Sequence, residues 1–276
     1  MVSSPSITSQ AHPFERGPPR FDVGLAPIDL AHWLIPDDQA AWLGPKAELI
    51  DADPQAVFAS LPGSMPAQIE AADLVAAAVG RAYDRGEPPL LAASRLVSDD
   101  LVVMEMVDGA WTATAMCLCS PTFFSAHDAI GKSLFGLHRP VPGGDPGLGG
   151  RISRVFSLLR DDLVLERHNW TVQWSKARFT PDGQPLREAA AAASESEARE
   201  ALHLRVERQT IRRLPASGAV LFTIRIRLTR LAELLADPVQ KALFEEAWRA
   251  AAPDVRGYKK WQSLERHVAA LLASTA

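Results

Sequence analysis

The sequence predicts an α+β protein built on a five-stranded antiparallel sheet with its helices gathered on one side. Three observations carry that expectation. Leu101–Val107 and Ala110–Leu118 flank Asp108-Gly109, the strongest short-range hairpin signal. Leu204 to Leu228 reads as a second hairpin about a Pro215–Gly218 turn, with apolar residues alternating along both arms. Around these segments the apolar residues recur at helical spacing instead.

The elements follow in order. Residues 1–20 form a Ser/Pro-rich leader without the apolar stretch of a secretory signal, and are expected to be disordered. Residues 21–95 read as a helical extension. Pro27-Ile28-Asp29 would open one helix with Trp33 and Leu34 on its apolar stripe. Asp53 would cap a second, with Pro54 at its first position and Val57, Phe58 and Leu61 following. Met65–Tyr83 is the clearest helix, with Ile69, Leu74, Val75, Ala78 and Val79 in register, and Gly86-Glu87-Pro88-Pro89 breaks the chain after it.

Residues 96–228 read as the core. After the first hairpin, Pro121 starts a helical segment running to about Leu137, closed by Pro140, Pro142 and the Gly-rich loop from Gly143 to Gly150. Arg151–Leu159 is a short helix and Glu166–Trp174 the third strand. Residues 175–203 are an insertion whose Ala/Glu-rich part, Glu188–Ala201, reads as a solvated helix. Residues 229–276 are amphipathic helices, Arg230–Trp248 and Tyr258–Ser274. Two strands, then helices, then three strands is an order that looks like a PAS domain, in which a ligand pocket lies between the sheet and the central helices.

Composition narrows the function. The 276 residues carry 47% apolar and 22% charged side chains, ordinary for a globular protein. A net charge of −4 argues against a dedicated nucleic-acid binder. No apolar run approaches the ~20 residues that cross a bilayer, and a cytoplasmic location is expected. The two cysteines, Cys117 and Cys119, form a C-x-C whose bridge would be badly strained in a strand, and no zinc-like ligand spacing surrounds them. They read as buried thiols. Gly131-Lys132-Ser133 has Ala126 where a phosphate loop needs its first glycine.

The second hairpin carries the pocket signal. Leu204, Val206, Arg208, Thr210 and Arg212 share a face, and the two apolar residues turn that face inward. A guanidinium on an apolar wall is costly unless it meets an anion or a polar ligand. Arg208 and Thr210 either line a pocket, or Arg208 snorkels to the rim or pairs with a carboxylate such as Glu207.

Several strings together resemble one family: Leu96-Val97-Ser98-Asp99-Asp100-Leu101, Cys119-Ser120-Pro121-Thr122, Leu137-His138-Arg139-Pro140-Val141-Pro142-Gly143, Arg167-His168-Asn169-Trp170, and Leu204 to Arg225. They look like the heme-dependent oxidative N-demethylases, formerly a domain of unknown function, over roughly residues 22–235. The resemblance implies a heme-binding PAS fold, heme b, dioxygen and a small amine such as dimethylamine. Electrons would come from NADPH through a separate reductase carrying FMN and a 2Fe-2S cluster. This chain has no four-cysteine iron–sulfur set and no G-x-G-x-x-G after a strand.

On that resemblance, His138 is the expected axial ligand, at the end of the central helical segment and held by Pro140 and Pro142. The bland alternative is a helix-end histidine stabilised by the helix dipole. His168 is the reserve, and a thiolate from Cys117 or Cys119 is weaker. Arg208 with Thr210 would polarise bound oxygen. Glu207 or Glu166 would hold the ammonium, although alternation sends Glu207 to the face opposite Arg208 unless a bulge intervenes. Arg167 and Asn169 are expected at the pocket wall or a propionate, or in ordinary edge pairing. Arg225 would meet a propionate or sit on a solvated face. Trp111, Trp170 and Trp174 read as core residues. Two rivals stand beside the enzyme: a heme-binding PAS gas or redox sensor without turnover, and a heme-free PAS-like interaction subunit.

Overall fold

Both hairpins form, inside a larger sheet. The computed structural model describes residues 12–34, 38–143 and 147–274. Its strands are β1 (Ala26–Ile28), β2 (Phe58–Ser60), β3 (Asp100–Val107), β4 (Ala110–Cys117), β5 (Val164–Trp174), β6 (Leu202–Arg213) and β7 (Val220–Arg230). They lie in the order β1-β5-β6-β7-β3-β4-β2, every neighbouring pair antiparallel. The α+β class holds, but the five-stranded PAS-like sheet does not: the sheet has seven strands. The five expected strands are its contiguous middle, and a three-residue strand extends each edge. Neither edge strand is long enough to show alternation. Pro27 lies within β1, at a sheet edge, where a missing N–H is tolerated.

Asp108 and Gly109 take φ of 49° and 79°, the pair of left-handed conformations that a tight hairpin turn requires. The second hairpin closes through Gly218, at φ 71°. Glu70 holds that turn from outside, accepting from the backbone of Ala216 at 2.6 Å and Ser217 at 2.8 Å.

The helices are α1 (Leu43–Ala52), α2 (Pro54–Val57), α3 (Met65–Val79), α4 (Pro89–Ser94), α5 (Ala126–Ala129), α6 (Leu134–His138), α7 (Gly149–Leu158), α8 (Gln184–Ala192), α9 (Glu195–Ala201), α10 (Leu231–Leu234), α11 (Pro238–Ala250), α12 (Pro253–Tyr258) and α13 (Glu265–Ala273). Asp53 caps α2, accepting from Gln55 and Ala56. No helix opens at Pro27: the segment is β1 and a 3-10 turn, Leu30–His32, that delivers Trp33 and Leu34 to the core. The single helix expected from Pro121 is instead α5 and α6. Between them Ala113 donates to Lys132 and accepts from Gly131, so the chain leaves the helix to bond the rim of β4. The insertion is not wholly solvated, since Ala190 of α8 and Ala198 of α9 are buried. Asp237 caps α11 and splits the expected Arg230–Trp248 helix into α10 and α11, while the expected Tyr258–Ser274 helix is a 3-10 turn, Trp261–Ser263, followed by α13. Among the described residues no helix is long and apolar enough to cross a membrane.

Helices cover both faces of the sheet, correcting the one-sided expectation. On the first face Trp170, Val172, Leu202 and Leu204 pack on Leu231, Phe244, Trp248, Trp261 and Val268. Further along, Leu101, Val103 and Leu221 pack on Trp33, Ala71, Val75 and Leu90. On the second face Val102, Met104, Met116, Ile211 and Val220 pack on Ala126, Leu134, Ile152 and Phe156. Residues 1–11 of the expected leader and 144–146 of the Gly-rich loop lie outside the described residues. The rest of that leader docks on the core: Phe14 is buried edge-on to Trp170 and Phe244, centroids 6.1 and 5.6 Å away.

Buried charge fixes the start of β3. Arg225 meets Asp99 at 2.7 and 2.9 Å. Lys46 of α1, itself fully buried, donates to the carbonyls of Val97 at 3.0 Å and Asp99 at 2.6 Å. Asp100 accepts from the backbone of Cys119 and Ser120 at 2.8 and 3.0 Å. Cys117 and Cys119 are free and buried, sulfurs 3.9 Å apart.

Removing one partner of a buried pair leaves an uncompensated charge. Asp99→Ala is expected to lower the unfolding free energy by about 3–5 kcal/mol, read from the midpoint of chemical denaturation at unchanged slope. A loss under about 1 kcal/mol, the scale of a surface pair, would show that water reaches Arg225.

Candidate functional site

The second face is incompletely filled at its middle. Phe222 and Ile224 belong to the central strand of seven, yet both remain half-buried, as does Leu165 across from them on β5. Apolar side chains at the centre of a helix-covered sheet are ordinarily sealed, so the solvent these keep marks a recess. Half-buried Leu137 and Val141 flank it from α6 and the turn beyond, with Phe21, Val23 and Leu25 packed against the same cluster.

His138 is the last residue of α6. Its Nδ1 lies 2.8 Å from the carbonyl of Leu134. A carbonyl only accepts, so Nδ1 carries the proton and Nε2 is left with a lone pair. Burial lowers the His138 pKa and Arg167 lowers it further, against the backbone bond. The ring is therefore neutral near pH 7 and its free nitrogen is competent to ligate.

Opposite, alternation brings a polar row into the recess. Arg167 pairs with Gln209 and Asn169 with Glu207 in the β5–β6 register. Arg167 donates from Nη1 to the carbonyl of Asp22 at 2.7 Å, while its Nε is buried without a partner. Glu207 accepts from Arg205 Nε at 3.1 Å, Gln209 Nε2 at 3.0 Å and Asn169 Nδ2 at 3.4 Å. Burial pushes the Glu207 pKa up, but Arg205, Lys259 and these bonds outweigh it, and the carboxyl titrates below its usual range. Lys259, just past α12, completes the group by donating to Asn169 Oδ1 at 3.3 Å. Burial pulls its pKa down to about 8, opposed by Glu207 and assisted by Arg167 and Arg205.

The remaining candidates lie on the first face. Arg208 pairs with Glu166 and donates to the carbonyls of Trp33 at 2.8 Å and His32 at 2.6 Å. Thr210 accepts from Trp33 Nε1 at 3.1 Å and bonds Thr223 at 2.7 Å. Both fasten the N-terminal segment to the sheet, so the expectation that they point between sheet and central helices is corrected. The correction has one cause. Both faces are buried, and the apolar parity of Leu204 and Val206 marks the face beneath the C-terminal helices. Arg225 is held by Asp99, away from the recess and not on a solvated face. His168 shares the first face, its Nδ1 3.8 Å from Glu166. Trp111 and Trp170 are buried in the core.

Arg167, Asn169 and Glu207 thus share the second face, with His138 near enough for Arg167 to lower its pKa, while Arg208, Thr210, Arg225 and His168 lie on the first face. Sequence reasoning missed Lys259. Its only signal was Lys259-Lys260 between the aromatics Tyr258 and Trp261, in a segment read as plain helix.

Residues 76–269 match the model of the family described as "Haem-dependent oxidative N-demethylase, alpha subunit-like".

The Lys259 shift has a measurable sign. Its folded pKa, about 8, lies below the ordinary lysine value, so the unfolded chain binds more protons between pH 8 and the ordinary value near 10.4. Stability from this group therefore rises with pH across that window. The unfolding free energy of the parent is expected to gain on that of Lys259→Met as pH is raised through it. Parallel curves for the two proteins would place Lys259 in water.

Proposed function

The chain belongs to the heme-dependent oxidative N-demethylase, alpha subunit-like family, and from that premise we propose that it binds heme b in the recess and oxidatively demethylates a small secondary or tertiary amine such as dimethylamine. The half-buried apolar residues at the sheet's centre, together with a helix-end His138 whose pKa burial lowers, are the observation that carries this reading.

The residues present fit the group. Phe222, Ile224, Leu165, Leu137 and Val141 offer apolar walls. His138 offers a single nitrogen, its other nitrogen already fixed by Leu134, the arrangement that orients metal-bound imidazoles. Arg167 has an orphaned buried donor suited to a propionate. Among the described residues no three His, Cys, Asp or Glu are gathered for a metal ion alone, in keeping with iron held mainly by a macrocycle. Bound heme supplies the iron at which dioxygen is reduced.

The chain's own groups do the rest. His138 would hold the iron through Nε2. Glu207, kept ionised by Arg205 and Lys259, would accept a hydrogen bond from the amine and hold its nitrogen, while Asn169 and Gln209 fix the carboxylate. Arg208 and Thr210, behind the sheet, take no part. In the balanced reaction one dioxygen, two electrons and two protons convert an N-methyl group to formaldehyde and water, and the amine leaves one carbon shorter. The electrons would come from NADPH through a partner subunit carrying FMN and a 2Fe-2S cluster, in the cytoplasm. That the family is described as alpha subunit-like supports a partner.

The deciding experiment is an absorption spectrum of the heme-reconstituted protein. A Soret band is expected in the parent and in His168→Ala, lost or shifted in His138→Ala. Absence of the band in the parent would defeat the enzyme and sensor readings alike and leave an interaction subunit. In the same cuvette dimethylamine should perturb the spectrum. Glu207→Gln is expected to weaken that response about tenfold to hundredfold, the scale of a hydrogen bond to a charged group. Amine-dependent oxygen uptake with formaldehyde release separates the enzyme from a sensor; heme binding without it would refute turnover.

A further inference from the structure

Three cations surround Glu207. Arg167, Arg205 and Lys259 all act on that carboxylate, Arg167 on Asp22 as well and Arg205 on Asp100.

The cations are not equally available. Arg205 is committed, with Nε on Glu207 at 3.1 Å, Nη2 on the carbonyl of Ser120 at 2.5 Å and Nη1 near Gln173 at 3.4 Å. Arg167 keeps Nε unpartnered. Lys259 spends one of its three N–H donors on a single long bond, 3.3 Å to Asn169. Two cations with unused donors therefore bracket Asn169, one on β5 and one from the C-terminal helices.

Local backbone supports a purpose for the second. β1 pairs with β5 only from Val164 to Glu166, so among the described residues β5 beyond that point has no further strand on that side. The turn after α12 covers it: Lys259 bonds Asn169, and Trp261 donates from Nε1 to Thr171 at 2.9 Å. Between them Lys260 sits at φ 56° and ψ 34°, a left-handed conformation that helix ends usually give to glycine. Strain kept by a long side chain is a marker of constraint at functional sites.

We propose that Lys259 and Arg167 form a seat for a ligand bearing two carboxylates, with Lys259 supplying the second cation from outside the sheet. The proposal rests on the heme reading above, in which the two carboxylates are the propionates. It makes the C-terminal helices part of the ligand site.

Heme b and its dimethyl ester, which lacks both carboxylates, separate this role from a structural one. Each is titrated into the full-length protein and followed by its Soret band and by quenching of tryptophan fluorescence. Lys259→Met is expected to weaken heme b about tenfold to hundredfold and to leave the ester's affinity unchanged, with Lys259→Arg restoring heme b. Arg167→Met should show the same selectivity. Equal losses for heme b and the ester, or none for either, would overturn the seat while leaving the heme reading intact. Absence of a Soret band with both ligands in the parent overturns the heme reading and the seat with it. Circular dichroism checks each variant, and Lys259→Gln carries the comparison should Lys259→Met misfold.

Discussion

β6 and β7 bring arginines onto both faces of a sheet that helices cover twice, and each buried guanidinium has to be matched where it lies. Arg208 and Arg225 are cross-strand partners on the first face. They are satisfied separately, Arg208 by Glu166 and two backbone carbonyls, Arg225 by Asp99. Those two solutions determine much else. The first draws the segment through Trp33 onto the sheet. The second, with Lys46 beneath it, sets the loop from which β3 begins. The first face is thereby closed around Arg208 and Arg225, with apolar clusters on either side.

The second face receives the opposite treatment from the same strands. Arg205 and Glu207 pair along β6, and Gln209 continues the row. Beside them on β7 Ile226 is buried, whereas Ile224 and Phe222 stay half-buried. Short helices interrupted to bond β4 cannot present a continuous apolar ridge, and the room left under α6 is the recess. Openness here and closure there follow from one alternation, since each arginine removed to the first face leaves the second free for other groups.

What the sequence made legible was what local chemistry determines. Asp108-Gly109 dictates a hairpin whatever surrounds it, and Asp53-Pro54 starts a helix by capping alone. β1 and β2 were not legible because three residues carry no period, and Pro27 argues against a strand unless its edge position is known. The face of Arg208 was not legible for a deeper reason. Apolar alternation identifies an inside only when one face is solvated. With both faces buried, Leu204 and Val206 point inward toward one helix layer while Ile211 points inward toward another. The same parity that misplaced Arg208 and Thr210 placed Glu207 with Asn169 and Arg167. Lys259 lies 90 positions from Asn169, and no local pattern reports such a contact.

The recess also sets two titratable groups in complementary states. Burial holds His138 neutral below the usual histidine range. Glu207, equally removed from water, stays ionised because Arg205 and Lys259 stand beside it and three donors point at it. Burial penalises charge in both cases; only the local count of cations and donors makes the outcomes differ. As pH falls below neutrality His138 resists the proton that would occupy its free nitrogen, and Glu207 resists the proton that would abolish its charge. A lone pair on one wall and a negative charge on the other therefore coexist at neutral pH. That separation of roles comes from environment and not from residue type. It requires the cations that a reading of β5 and β6 alone would leave out.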